Sequence, residues 1–272
     1  MSSDSRDAPL SAIWTGVAGS YDAYRPRTPA ALLGILPQLA GAERPHLVVD
    51  LGSGTGLSTY AWSQQAARVI GIEPNADMRR QAEARRENET NVTFVEGVAH
   101  ATGLDDACAD VVTASQSLHW MDPQPTFAEI RRVLRSGGVF AAYDYDWPVV
   151  ITPETDLLYA EFMARLDSVF AAQNTALGPG AGYHEKGEHL ARMRASGQFR
   201  LAREICVHSE ERGDAERFIG LMLSNSVSIL MEQGVVTGEQ LDLEDFRARA
   251  RSILGDSPRR WYFSYRVRYA VK

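Results

Sequence analysis

Only two of the 272 residues are cysteine, Cys108 and Cys206. Each sits in or beside an apolar, strand-like run. The pair reads as small buried hydrophobes in a reducing compartment rather than a disulfide framework, which points to the cytoplasm. Long apolar runs are missing too, and no segment approaches the roughly 18 residues that span a bilayer. Residues 1–20 open with acids and no apolar stretch, so they read as a flexible tail and not a secretory signal. Basic charge is scarce: 28 Lys and Arg against 35 Asp and Glu leave a net charge of −7. The basic clusters, such as Arg131-Arg132 and Arg259-Arg260, are short and flanked by apolar residues. A nucleic-acid partner leaves a basic stripe, so this chemistry is disfavoured. An acidic chain is also a poor match for an anionic membrane surface. The six histidines show no metal-ligand spacing such as H-E-x-x-H, so no metal is expected. Internal repeats and low-complexity tracts are absent. What remains is the balance of a folded globular protein, 44% hydrophobic and 23% charged. Its expected partner is a small molecule, and the composition allows a homodimer.

The first half alternates short apolar runs with helical stretches. Leu47-Val48-Val49 ends at Asp50 and reads as a buried parallel strand. A helix is predicted over residues 57–67, a strand over 69–72, a helix over 76–87, and strands over 92–95 and 109–114. A helix over 125–134 is expected to stop at Gly137-Gly138, followed by a strand over 139–145. Strand and helix alternating five times predict a doubly wound parallel sheet covered on both faces. After Trp147-Pro148 the pattern turns helical, with predicted helices over 154–172, 185–195, 214–233 and 238–254. Strands over 199–208 and 261–271 flank the last two helices. The chain therefore divides into a tail over 1–20, a binding core over 21–150, and a remainder over 151–272 that completes the core and adds a helical cap.

The turn after the first strand is Asp50-Leu51-Gly52-Ser53-Gly54-Thr55-Gly56. Ligands of such sheets bind where strands end and helices begin. Glycines there permit positive φ and let backbone N–H groups approach a ligand, and a helix beginning near Gly56 aims its positive end at the same place. A dinucleotide fingerprint needs a third glycine at position 57, which is leucine. A P-loop is excluded, because no Gly-Lys-Ser/Thr follows. Asp50 before the glycines suits a ligand with an ammonium and a sulfonium better than a diphosphate. Glu73 lies 21 residues after Gly52, at the end of the second strand. A carboxylate there can accept hydrogen bonds from both hydroxyls of an adenosine ribose. Together these features predict S-adenosylmethionine (SAM) as the cofactor.

The segments VVDLGSGTG, VIGIEPNADM and SLHWMDP, with YDAYRPRTP near the start, resemble class I SAM-dependent methyltransferases. They are similar to the small-molecule branch that includes trans-aconitate and quinone-biosynthesis methyltransferases. The resemblance covers about residues 20–145. It implies a Rossmann-like α/β fold, with a mostly parallel seven-stranded sheet whose last strand, over 261–271, is antiparallel. It also implies that Asp50 holds the methionine amino group, partly through water. The backbone at Gly52 and Gly54 approaches the methionine part, Glu73 binds the ribose, Met78 lines the adenine, and Ser53 and Pro74 also contact the cofactor. Val98 and Ala99 lie in the loop meeting the adenine edge, where many relatives carry an acid. Ser115 and Gln116 would line the methionine side. Tyr21, Tyr24 and Arg25 fall in a segment that closes over the cofactor in similar enzymes; a plain surface helix packing its tyrosines on the sheet is the competing reading.

Substrate contacts are expected from Tyr24, His119, Trp120, Tyr143, Trp147 and His184. His119 follows the fourth strand and is the candidate general base, its unperturbed pKa lying near 6.5. The alternative is a histidine that orients backbone or fills the pocket floor. The loop 178–182, Gly-Pro-Gly-Ala-Gly, is a candidate lid. The predicted reaction is in-line methyl transfer to oxygen, carbon or nitrogen of a small metabolite. A SAM-binding regulator or scaffold without transfer activity is the main alternative, and an NAD-dependent oxidoreductase is disfavoured by Leu57 and Asp50.

Overall fold

The computed structural model describes residues 24–172, 183–224, 226–232 and 234–272. The elements run α1 (Ala30–Leu39), β1 (Leu47–Leu51), α2 (Leu57–Ala61), β2 (Arg68–Ile72), α3 (Ala76–Ala84), β3 (Val92–Val95), β4 (Ala109–Ser115), α4 (Pro123–Val133) and β5 (Leu134–Tyr145). The second half adds α5 (Pro153–Ala172), α6 (His189–Ala195), β6 (Leu201–Gly213), α7 (Ala215–Leu223), α8 (Ser226–Glu232), α9 (Leu243–Leu254) and β7 (Arg259–Val271). The strands form one seven-stranded sheet in the order β3-β2-β1-β4-β5-β7-β6. β1 to β5 pair in parallel, and β7 enters antiparallel between β5 and β6. This is a Rossmann-like sheet, and β7 is antiparallel as the resemblance implies.

Side chains on successive strand residues point to opposite faces, and both faces are covered. Val48, Val69, Val111 and Val139 join one apolar cluster with Leu32, Leu36 and Trp62. Val49, Ile70, Val112 and Phe140 join another with Phe127 and Ile130 of α4. That is why β1 reads as an unbroken apolar run: it is buried along its whole length.

Several boundaries differ from the sequence reading. The helix expected over 57–67 stops at Ala61, because the chain turns to sink Trp62 fully into the core. Gly137-Gly138 does not cap α4. The helix passes directly into β5 at Leu134, and the glycines sit at a register shift between β4 and β5. Gly137 has φ +76°, and a Cβ on Gly138 would lie 2.9 Å from the Arg135 carbonyl. The helix over 214–233 is two helices, and that over 238–254 starts at Leu243, after Asp242 at φ +52°. The last two strands are longer than predicted. They pair without interruption from Leu201↔Val271 to Gly213↔Arg259. Among the described residues, no helix is long and apolar enough to cross a membrane.

Candidate active site

The site lies at the carboxyl edge of the sheet, where the ends of β1, β2, β4 and β5 meet the segment 24–28. A cavity opens there. Of the residues singled out from sequence, it is lined by Arg25, Gly52, Ser53, Gly54, Glu73, Pro74, Met78, Val98, Ala99, Ser115, Gln116, Trp120 and Tyr143.

The glycine turn has φ of +63° at Gly52, +54° at Gly54 and +84° at Gly56, a region that L side chains rarely adopt. Each glycine has its own steric reason. A Cβ on Gly52 would stand 2.8 Å from Ser117 Cβ, and one on Gly56 would stand 2.8 Å from the Phe94 ring. A Cβ on Gly54 would meet nothing within 4 Å, so this glycine leaves open space. The expected offer of backbone donors needs correction. Gly52 N and Ser53 N both donate to Ile72 O, at 2.8 and 3.1 Å, and Gly54 N donates to Glu73 Oε2 at 2.9 Å. The turn gives a ligand room and a close approach rather than free amides. The helix after it has five residues, so its dipole is correspondingly short.

Glu73 lies on the cavity wall and is 7% exposed. Its Oε1 accepts from Asn75 N at 2.9 Å. Burial pushes the carboxyl above its ordinary range, while the Asn75 and Gly54 amides and Arg79 pull it back. Each oxygen has spare lone-pair capacity, so the two ribose hydroxyls predicted from sequence fit this carboxylate. Asn75 also caps α3, accepting from Asp77 N and Met78 N at 2.9 and 3.0 Å. The cap fixes the start of α3 and with it Met78, which lines the cavity together with Val98 and Ala99, an apolar set suited to an adenine.

Asp50 is not on the cavity wall. It is fully buried under the turn, accepting from Ser58 Oγ at 2.5 Å and from Thr59 Oγ1 and Thr113 Oγ1 at 2.7 and 2.8 Å. Desolvation raises its pKa against the three hydroxyls, which lower it. It braces the turn through these three hydroxyls, behind the residues that line the cavity.

His119 also lies outside the cavity lining. Its ring is 6% exposed, packed against Trp120 and Tyr183 with centroids 5.2 Å away in each case. Nδ1 is 3.7 Å from Asp144 Oδ1, too far for a hydrogen bond, and has no partner. Burial, and then the charge of Lys186, hold the imidazole well below its ordinary pKa. The ring packs behind Trp120, which itself lines the cavity.

Three other predicted substrate residues fall elsewhere. Tyr24 lies flat on Gly220 of α7, where an added Cβ would come within 2.4 Å of the ring. Trp147 stacks on Tyr159, 5.5 Å between centroids and 10° between planes. His184 donates its backbone N–H to His119 O at 2.8 Å, and its ring is not among the lining groups. Tyr21 and the loop 178–182 lie outside the described residues.

The sequence reading missed Thr28, Tyr145 and Tyr265 on the wall. Tyr145 was within reach of it, being two residues beyond Tyr143 on the same face of a strand. Tyr265 is the β7 residue paired with Tyr145. Arg25 Nη1 donates to Tyr145 Oη at 2.8 Å and Nη2 to Ser224 O at 2.6 Å. This ties one wall to the carboxyl end of α7. Tyr143 is fully buried, and burial, then the Asp50 charge, raises its phenol further above neutrality.

Residues 49–142 match the family model of the methyltransferase domain. That stretch carries the likeness to a methyltransferase domain. The matched stretch runs from the end of β1 into β5 and holds the glycine turn, Glu73 and Gln116. An uncharacterized methyltransferase of Mycobacterium tuberculosis is 34% identical over 139 residues, 51% of this chain and 53% of that one. A protein of Saccharomyces cerevisiae assigned as a SAM-dependent methyltransferase is 27% identical over 147 residues, 52% of this chain and 50% of that one. The aligned part thus spans about half the length of these curated relatives. A solved structure from Anaeromyxobacter dehalogenans, assigned as a type II methyltransferase, superposes with a TM-score of 0.68 at 27% identity. It covers 92% of this chain and 98% of its own, so the fold likeness extends beyond the half of the chain that aligns with the curated relatives.

Proposed function

We propose that this protein transfers a methyl group from SAM to a small-molecule acceptor in the cytoplasm. The observation that carries the reading is the cavity itself. Its wall brings Glu73, Met78 and Ala99 together with Arg25, Gln116 and Tyr145, beside a turn with open space at Gly54. Glu73 fits a ribose, and the apolar set fits an adenine. When bound, SAM supplies an already activated methyl group, so the protein mainly has to align it with an acceptor. Trp120, Tyr143, Tyr145 and Tyr265 shape a largely aromatic acceptor end. Aromatic faces also suit a sulfonium. An acceptor that arrives ionised, such as a carboxylate, needs no base from the protein. The cavity and the acidic net charge support a metabolite rather than a nucleic acid.

Equilibrium dialysis with SAM and with NAD tests the cofactor. SAM binding without NAD binding is expected, and the converse would overturn the assignment. Formation of S-adenosylhomocysteine from SAM with candidate acceptors separates transfer from binding alone.

A further inference from the structure

Gln116 and Lys186 form a contact that the sequence reading did not anticipate. Gln116 ends β4 at φ +52°, the left-handed region uncommon for a residue with a side chain, and it lines the cavity. Its Oε1 accepts from Lys186 Nζ at 2.8 Å, across 70 residues of chain. The same ammonium stands 3.1 Å from Asp144 Oδ1. Asp144 is held in turn by Arg268, 3.2 Å from its Oδ2, and Arg268 reaches Glu204 at 2.7 Å. The lysine thus sits on a fixed carboxylate behind the sheet edge and presents its charge to the amide in front. An ammonium has donors only. The amide must therefore turn its oxygen to Lys186, which leaves Nε2 as the donor that the protein does not engage, on a residue that lines the cavity. Nε2 is buried and has no partner in the protein. A ligand oxygen would satisfy it.

We propose that Lys186 is a positioning residue that fixes Gln116 as a hydrogen-bond donor to the carboxylate of the cofactor's amino-acid moiety. The inference rests on the SAM reading above. It adds a residue from the second half of the chain, outside the matched domain, that acts through Gln116 without lining the cavity. A lysine that served only to fasten residues 183–189 to the core would affect every ligand of the cavity alike. A positioning lysine affects only ligands that carry the carboxylate.

S-adenosylhomocysteine and 5′-methylthioadenosine share the adenosine and thioether, but only the first has the amino-acid group. Calorimetric titration of both into the wild type, Lys186→Met, Lys186→Arg and Gln116→Leu tests the difference. Lys186→Met and Gln116→Leu are each expected to weaken S-adenosylhomocysteine about tenfold, the scale of a charge-assisted hydrogen bond. Both should leave 5′-methylthioadenosine within about twofold. Lys186→Arg keeps a donor-only cation and should restore S-adenosylhomocysteine binding to within about threefold. Equal losses for both ligands, or no loss for either, would overturn the proposal while leaving the cofactor assignment intact. A wild type that binds neither ligand would overturn both. Lys186 is about one-third exposed, and thermal melting of each variant confirms that folded proteins are compared.

Discussion

At the residue scale, the site depends on carboxylates with different duties. Glu73 faces the cavity and also holds the amides of Gly54 and Asn75. Its replacement by alanine removes acceptors for a ligand and leaves two backbone donors short of their partner. Glu73→Ala is expected to weaken S-adenosylhomocysteine at least tenfold, since hydrogen bonds to a charged group contribute about 1.5–3 kcal/mol. Unchanged affinity by calorimetry would remove the ribose role. Asp50 answers to a different logic. Its three hydroxyl partners are Ser58, Thr59 and Thr113, so its effect on a ligand passes through the shape of the turn. The spacing of Asp50, the glycines and Glu73 was legible in the sequence because each is fixed by local backbone geometry. Which carboxylate faces the ligand was not, because that depends on the neighbours of the central strand.

At the scale of elements, the segment 24–28 docks on α7 through Tyr24 and Gly220. An alanine at position 220 would gain roughly 1 kcal/mol of helix propensity, yet its Cβ would fall 2.4 Å from the Tyr24 ring. The ring must leave, and Arg25 and Thr28 leave the cavity wall with it. Gly220→Ala is therefore expected to weaken S-adenosylhomocysteine severalfold with little change in helix content by circular dichroism. Undisturbed binding would mean that the segment docks by other contacts. This docking was hidden from sequence reading, since Tyr24 and Gly220 are distant in the chain and neither lies in a motif. The same holds for Trp147, whose partner Tyr159 lies in α5. Strands β1 to β5 were legible because burial on both faces leaves apolar runs. The β6–β7 ribbon was recognised but cut short, because its outer pairs carry charged residues such as Glu210, Arg212 and Arg260.

At the scale of the whole molecule, buried histidines connect stability to pH. His189 is 1% exposed, and burial followed by the charge of Arg268 pushes its pKa down to about 3. Above pH 6.5 the imidazole is neutral in the folded and unfolded chain alike. Below it only the unfolded chain takes the proton, so stability is lost progressively until about pH 3. His119 is shifted in the same direction. By pH 5 the contribution of His189 is on the order of 1–2 kcal/mol. Urea unfolding at pH 7 and pH 5 should show a smaller drop in stability for His189→Leu than for the wild type. Equal drops would mean that His189 takes its proton in the folded protein too.

The walls of the cavity join partners that are far apart in the chain: Arg25 to Tyr145 across 120 residues, Arg25 to Ser224 across 199, and Tyr265 to the Arg27 carbonyl across 238. Contacts of such sequence separation are expected to form late, because loop closure precedes the contact energy that rewards it. Ligand recognition therefore arrives last. A bound ligand leaves the rate of folding unchanged and slows unfolding, so the cofactor acts as a kinetic latch on a structure already finished.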